Sequence, residues 1–257
     1  MGVYTRIDDG TLQDERARLE AQALALWPVE RQILARRLLD RPEGLMIDLG
    51  CGTGATIARA AAAWTGWRFL GLDLEARLMP PDGPRARFEV TTPAGPWPIR
   101  DGEADAVYAR FVMQHAPERD ALLALARRAL RPGGRVLLVD VDDRASVFEP
   151  TLPEIDRIYR TSTAVQAARG GDRTVGARLP GLLHRAGFTQ IDYEVLAVSG
   201  ALIGVRSLLD LALGLKLRQM GEPASLIERL TAEAEATPGF VALVNIFVAS
   251  GVCPGDR

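Results

Sequence analysis

Asp48-Leu49-Gly50-Cys51-Gly52-Thr53-Gly54 places an acid two residues ahead of three alternating glycines, directly after the apolar run Leu45–Leu49. Glycines at a turn leaving a strand tolerate backbone angles closed to other residues and let a ligand approach the main chain. Thr56 to Trp64, rich in alanine, follows as a helix, whose first N–H groups and positive dipole end attract a carboxylate or phosphate. Gly50-x-Gly52-x-x-Ala55, with Asp73 about 20 residues on, also satisfies the dinucleotide fingerprint, so the turn alone admits two ligand classes. Asp48 separates them. An acid there meets the ammonium of a bound amino acid and would repel a pyrophosphate.

Other candidate chemistry follows the fourth apolar run, Ala104 to Ala109. His115 stands past its carboxyl end, where open α/β sheets bind ligands, and its side chain titrates near neutral pH. It is the candidate general base, against the alternative that it orders the loop Gln114–Pro117. His184 reads as an exposed helix residue. Tyr108 is a candidate catalytic hydroxyl or a core aromatic. Tyr4 and Asp142 are candidate acceptor-pocket residues. Asp140, Asp142 and Asp143 suggest oxygen ligands for a hard cation, but neighbours along a strand point to opposite faces, so no metal is expected. Cys51, with no base or cation near it in sequence, reads as packing within the cofactor turn.

These residues need a frame to hold them. Residues 11 to 39 read as helix, divided in two by Pro28. Segments 45–49, 68–73, 87–90, 104–109 and 135–141 read as strands, with helices after the first and at 120–130. Arg131-Pro132-Gly133-Gly134 ends the latter. Beyond 141, helices are expected over 153–168, 177–185 and between about 203 and 236, with strands at 191–198 and 240–249. The alternation implies a parallel sheet covered on both faces. The leucine-rich stretch 202–217 is expected as core, lid or dimer surface.

With this pattern in view, four motifs in order resemble class I S-adenosylmethionine-dependent methyltransferases, of the bacterial small-molecule type. They are Asp48–Gly54, Asp73, Asp105–Arg110 and Leu130–Gly134. Glu15-x-x-Arg18-Leu19-Glu20-x-Gln22 and the segment 170–188 are similar to the same group. The resemblance implies a Rossmann-like, seven-stranded, mostly parallel sheet with helices on both faces and a helical cap. One domain over 1–257 is expected: an N-terminal cap (1–40), a cofactor core (41–145) and inserts (146–186, 201–238) over the substrate.

It further implies S-adenosylmethionine as cofactor, with Asp48, Gly50, Cys51 and Gly52 at its amino-acid end. Asp73 would hold the ribose hydroxyls, Leu74 would pack on adenine, and Arg110 would lie near the methionine portion. Two departures stand out. Pro80-Pro81-Asp82-Gly83-Pro84 leaves room for little more than a turn where the family has a helix. Thr91-Thr92-Pro93 replaces the acid that often binds adenine, so adenine is expected to be held by main chain, Thr92 or packing. The expected reaction moves a methyl group to oxygen, nitrogen or carbon of a small, natural-product-like molecule. The alternatives are a cyclase-like enzyme that binds the cofactor without methylating, or a cofactor-binding subunit of a partner.

Composition agrees with a folded enzyme: 47% apolar, 25% charged and a net charge of −2, without the basic excess of a nucleic-acid binder. Two cysteines cannot build a disulfide frame. No apolar run approaches the ~20 residues of a membrane helix, and no signal core opens the chain. A soluble, cytoplasmic monomer or homodimer, without nucleic acid or membrane as partner, is therefore expected. Lys216 is the only lysine among 31 basic residues, a bias that a GC-rich bacterial genome would produce.

Overall fold

The computed structural model describes residues 9–92 and 95–255. Helix α1 (Asp9–Arg37) precedes β1 (Gly44–Leu49), α2 (Ala55–Ala63), β2 (Trp67–Asp73), β3 (Ala86–Val90), β4 (Ala104–Arg110), α3 (Arg119–Ala129) and β5 (Leu130–Val141). After these come β6 (Val147–Glu149), α4 (Pro153–Ala168), α5 (Leu179–Arg185), β7 (Thr189–Ser199), α6 (Gly200–Ile203), α7 (Val205–Met220), α8 (Ser225–Ala236) and β8 (Val241–Val252).

The strands form one sheet in the order β3-β2-β1-β4-β5-β8, with β7 on the far side of β8. Strands β1 to β5 pair in parallel, and β8 runs antiparallel to β5 and β7. The sheet has eight strands where seven were expected. The extra one, β6, pairs Val147–Glu149 with the start of β8, on the edge that β5 occupies further along. It is a short continuation of that edge and leaves the parallel order unchanged.

Alternate residues of the central strands serve opposite layers, because strand side chains alternate. Met46, Ala106, Tyr108 and Leu137 join the core beneath α1, α2, α4, α7 and α8. Ile47, Val107, Val136 and Leu138 join the core beneath α3 and α5. Burial on both faces accounts for their continuous apolar runs.

Helix α1 passes through Pro28 without ending, contrary to the expected break. Proline removes the hydrogen bond to the carbonyl of Leu24. Both Pro28 and Leu24 face solvent, where water can satisfy that carbonyl. The inner stripe of α1 carries Ala23, Leu26, Ile33 and Leu34, but also two carboxylates, Glu15 and Glu30, exposed by 0% and 4%. Leu208, Leu209 and Leu213 of α7 are core residues, which decides the leucine-rich stretch. Between Asp73 and β3 there is only a turn, as the prolines required. Among the described residues, no helix is long and apolar enough to cross a membrane.

Candidate active site

The turn after β1 is built on left-handed glycines. Gly50, Gly52 and Gly54 have φ of 69°, 53° and 68°. A Cβ on Gly50 would lie 2.5 Å from Val112, and one on Gly54 would lie 2.8 Å from the Phe88 ring. Side chains are excluded there by both backbone angle and space. The turn is tied to β2 by Gly50 N–H donating to Leu72 O at 2.7 Å. Asp73 Oδ2 accepts from Gly52 N–H at 2.8 Å, and its Oδ1 accepts from Glu75 N–H at 3.0 Å. Asp73 thus shapes the turn from below while standing at the end of β2. The start of α2 has no side-chain cap, which leaves that end of the helix suited to a polar ligand.

Asp48 lies opposite Tyr108 in the β1–β4 pairing, so both side chains point to the α1 layer. There they meet Glu30 and Arg110. Tyr108 donates its hydroxyl to Glu30, and Arg110 Nη1 stands 3.5 Å from Glu30 Oε2. Burial pushes the Asp48 carboxyl up to about 8; Arg110 opposes that shift, while Glu30 and Asp73 add to it. Three carboxylates therefore face one guanidinium, a deficit of positive charge. Just beyond, Phe111 takes a left-handed φ of 56°, unusual for a bulky residue and a common mark of functional loops.

Leu74 is half exposed at the rim of this cradle, and Thr92 is exposed beyond β3, its carbonyl accepting from Gly95 N–H. Cys51 is buried in the core, its thiol pushed up chiefly by burial, and so serves as packing within the turn. Tyr4 lies outside the described residues.

Three expected roles are corrected by the geometry. Tyr108 is fully buried, its hydroxyl spent on Glu30 and its pKa raised well above the ordinary phenol by burial, so it offers an acceptor neither a base nor a ready proton. Asp142 turns back on its own loop: its oxygens accept from the Arg144 N–H and guanidinium, capping the short turn 143–145. It does not face an acceptor.

His115 is not placed as a general base. Gln166 Nε2 donates to Gln114 O at 2.9 Å and reaches His115 Nδ1 at 2.6 Å. The Gln114 carbonyl requires the amide NH₂ on that side, so His115 Nδ1 accepts and the ring proton sits on Nε2. The lone pair a base would use is taken. Burial first, then the charges of Arg173, Arg18, Lys216 and Arg119, hold this histidine down to about 3.

Around His115 stand residues whose pairing the sequence reading did not anticipate. Asp140 Oδ2 accepts from Gln114 N–H at 3.0 Å and fixes the β4–α3 loop. Arg173 donates twice to Asp143, at 3.0 and 3.1 Å, and also to Gln114 Oε1. Lys216 donates to Asp143 at 3.0 Å and to Ala212 O at 2.9 Å, with its ammonium 4.3 Å from the centre of the Tyr159 ring. Gly171 allows this packing, since a Cβ there would lie 2.6 Å from Gln166. The available signals were the two glutamates on the apolar stripe of α1, the segment Gly170-Gly171-Asp172-Arg173, and the solitary lysine.

The comparisons with known proteins point to one family. The family description "Methyltransferase domain" matches residues 47–136. A trans-aconitate 2-methyltransferase of Methylobacterium radiotolerans is 33% identical over 208 residues, covering 79% of this chain and 69% of that protein. Two further curated relatives are matched over less than half of their length. A ubiquinone/menaquinone biosynthesis C-methyltransferase of Acidiphilium cryptum is 29% identical, covering 71% of this chain and 79% of that protein. Among solved structures, phosphoethanolamine N-methyltransferase 2 of Haemonchus contortus, in complex with S-adenosylhomocysteine, has a TM-score of 0.61 at 18% identity. The match covers 97% of this chain and 61% of that one. The chain belongs to the class I S-adenosylmethionine-dependent methyltransferases. It is an enzyme whose cofactor is S-adenosylmethionine.

Proposed function

We propose that this enzyme transfers a methyl group from S-adenosylmethionine to a small-molecule acceptor seated past the carboxyl ends of β4 and β5. One observation carries the reading. Asp48, buried beside the glycine turn and among other carboxylates, is raised to about 8 and lacks a full counter-charge. A ligand that brings an ammonium and a sulfonium supplies it.

Asp48 would hold the ammonium, with the main chain of Gly50 to Gly52 close against the amino-acid portion. Asp73 has carboxylate lone pairs remaining for ribose hydroxyls beyond the two loop N–H groups it accepts. Leu74 and Thr92 would flank the adenine. Arg110, held by Glu30, would stand beside the same portion of the ligand. The bound sulfonium supplies a methyl carbon already activated for in-line displacement. The chain's task is to align the acceptor and exclude water. Helix α1 lies over the turn, with Leu19 at 3.4 Å from where a Gly52 Cβ would be.

Titration calorimetry with S-adenosylhomocysteine, followed by transfer of labelled methyl into product, tests this. Binding of NAD(H) in its place would overturn the cofactor assignment for the turn. Cofactor binding with acceptor turnover but no label in the product would favour a cyclase-like reaction.

A further inference from the structure

The two ends of the site have opposite charge imbalances. At the cofactor turn, Glu30, Asp48 and Asp73 face Arg110. Past β5, Arg173 and Lys216 converge on the single carboxylate of Asp143, and the side chains of all three are less than a tenth exposed. Asp140 also lies near, but its oxygens accept from Gln114 and Val141 N–H, and burial pushes its carboxyl up to about 7. Two buried cations sharing one carboxylate leave positive charge uncompensated, which is costly away from water. Burial and Arg173 accordingly bring Lys216 down to about 7, against Asp143. Beside them His115 presents Nε2–H, which has no hydrogen-bond partner among the described residues.

The same region offers no positioned base. The His115 lone pair is held by Gln166, the Tyr108 hydroxyl by Glu30, and Asp142 by Arg144. Lys216 donates to Asp143 and to Ala212 O, and a bound anion beside it would hold it as the ammonium. A nucleophile that meets this site has to arrive already deprotonated. Lysine suits the position, because a compact ammonium donates to Asp143 and the Ala212 carbonyl and keeps its third proton for a ligand. That this chain keeps its only lysine here fits such a requirement.

We propose that Lys216, Arg173 and the Nε2–H of His115 form an anion subsite that receives a carboxylic acid acceptor, and that its carboxylate oxygen is the group methylated. The inference rests on the methyltransferase reading above. A carboxylate oxygen forms the bond to the methyl carbon as the carbon–sulfur bond breaks, its electron pair going to sulfur. The products are a methyl ester and a neutral thioether. No proton moves, so no base is required. The acceptor is then a small acid, with further carboxylates compatible with the remaining positive charge.

The solitary lysine makes the test direct. Protein labelled with 15Nζ-lysine carries one side-chain ammonium reporter, and S-adenosylhomocysteine binding is measured by calorimetry on the same sample. The probes are succinate, fumarate and tricarballylate, with the neutral triamide of tricarballylate as control. At least one acid, but not the triamide, should raise the Lys216 titration by one pH unit or more. It should also take up labelled methyl that alkali releases as methanol. Lys216→Met should weaken that acid at least tenfold while S-adenosylhomocysteine affinity stays within twofold. The wild-type titration needs no variant, so it stands if Lys216→Met fails to fold. A Lys216 resonance indifferent to all three acids, or methyl label that resists alkali, overturns the proposal. Failure of S-adenosylhomocysteine to bind would instead show in the calorimetry, and would overturn the underlying reading together with this one.

Discussion

Replacing Asp48 by Asn keeps the shape of the side chain and removes its charge. In the empty wild-type protein this carboxyl is raised from 3.8 to about 8, first by burial, with Glu30 and Asp73 adding and Arg110 opposing. The folded state therefore binds the proton more tightly than the unfolded chain. That contribution to stability is complete below pH ~4 and is lost as pH rises through about 8, at ~1.4 kcal/mol for each unit of pH. Between pH 5 and 7 the loss from Asp48 is on the order of 3 kcal/mol, or roughly 6–12 °C in Tm for a chain of this size.

Asp48→Asn should remove that slope, and the difference between the two proteins isolates Asp48 from Asp140, which is also raised. Binding should move the other way. At pH 7 the empty wild-type protein carries ~0.9 proton on Asp48, and an entering ammonium should expel it. Calorimetry with S-adenosylhomocysteine in buffers of different ionisation enthalpy would read this as a buffer-dependent heat. Asp48→Asn should show none of that proton release, and should bind ~10²–10³-fold more weakly, the cost of removing one partner of a buried charge pair. Equal affinity and equal buffer dependence in the two proteins would refute the assignment of Asp48 to the ammonium.

Other substitutions probe the supporting residues. Glu30→Ala leaves Arg110 buried without its carboxylate and should cost ~3–5 kcal/mol, read by chemical denaturation; an unchanged midpoint would show that the pair is not needed. Gly54→Ala forces a side chain onto a φ of 68° and against the Phe88 ring, and should cost ~1–3 kcal/mol and weaken S-adenosylhomocysteine, whereas Gly83→Ala, in open space, should do neither. Gln166→Glu puts a carboxylate beside His115 Nδ1 and should move its titration, seen by NMR, upward from about 3 by at least one unit. No movement would show that residue 166 does not stand against the imidazole. Leu137→Ala, at 0% exposure in the central strand, should cost ~2–5 kcal/mol of stability.

The cofactor turn was legible in the sequence because strand, glycines and helix are contiguous there, and the chemistry follows from neighbours a few residues apart. Strands β1, β2, β4 and β5 were legible too, since burial on both faces writes an apolar run into each of them, while the edge strand β3 alternates charged with apolar residues. Local signals failed where a distant partner decides the outcome. Pro28 signals a break by its own geometry, but solvent at Leu24 lets α1 continue. Asp142 and Asp143 are equivalent by composition; only the loop after β5 shows that the first turns to Arg144 and the second to Arg173 and Lys216.

From sequence alone follow the α/β alternation, the glycine turn with its acid, and the class of ligand they serve, because those depend on backbone angles and on spacing within one segment. Tertiary structure alone decided which polar groups are engaged. Glu30 meets Tyr108 across 78 residues, and Gln166 takes the His115 lone pair across 51. Protonation and hydrogen-bonding capacity belong to such encounters. A side chain buried among charges takes its properties from whatever the fold brings against it, and that pairing is written nowhere in its neighbourhood along the chain.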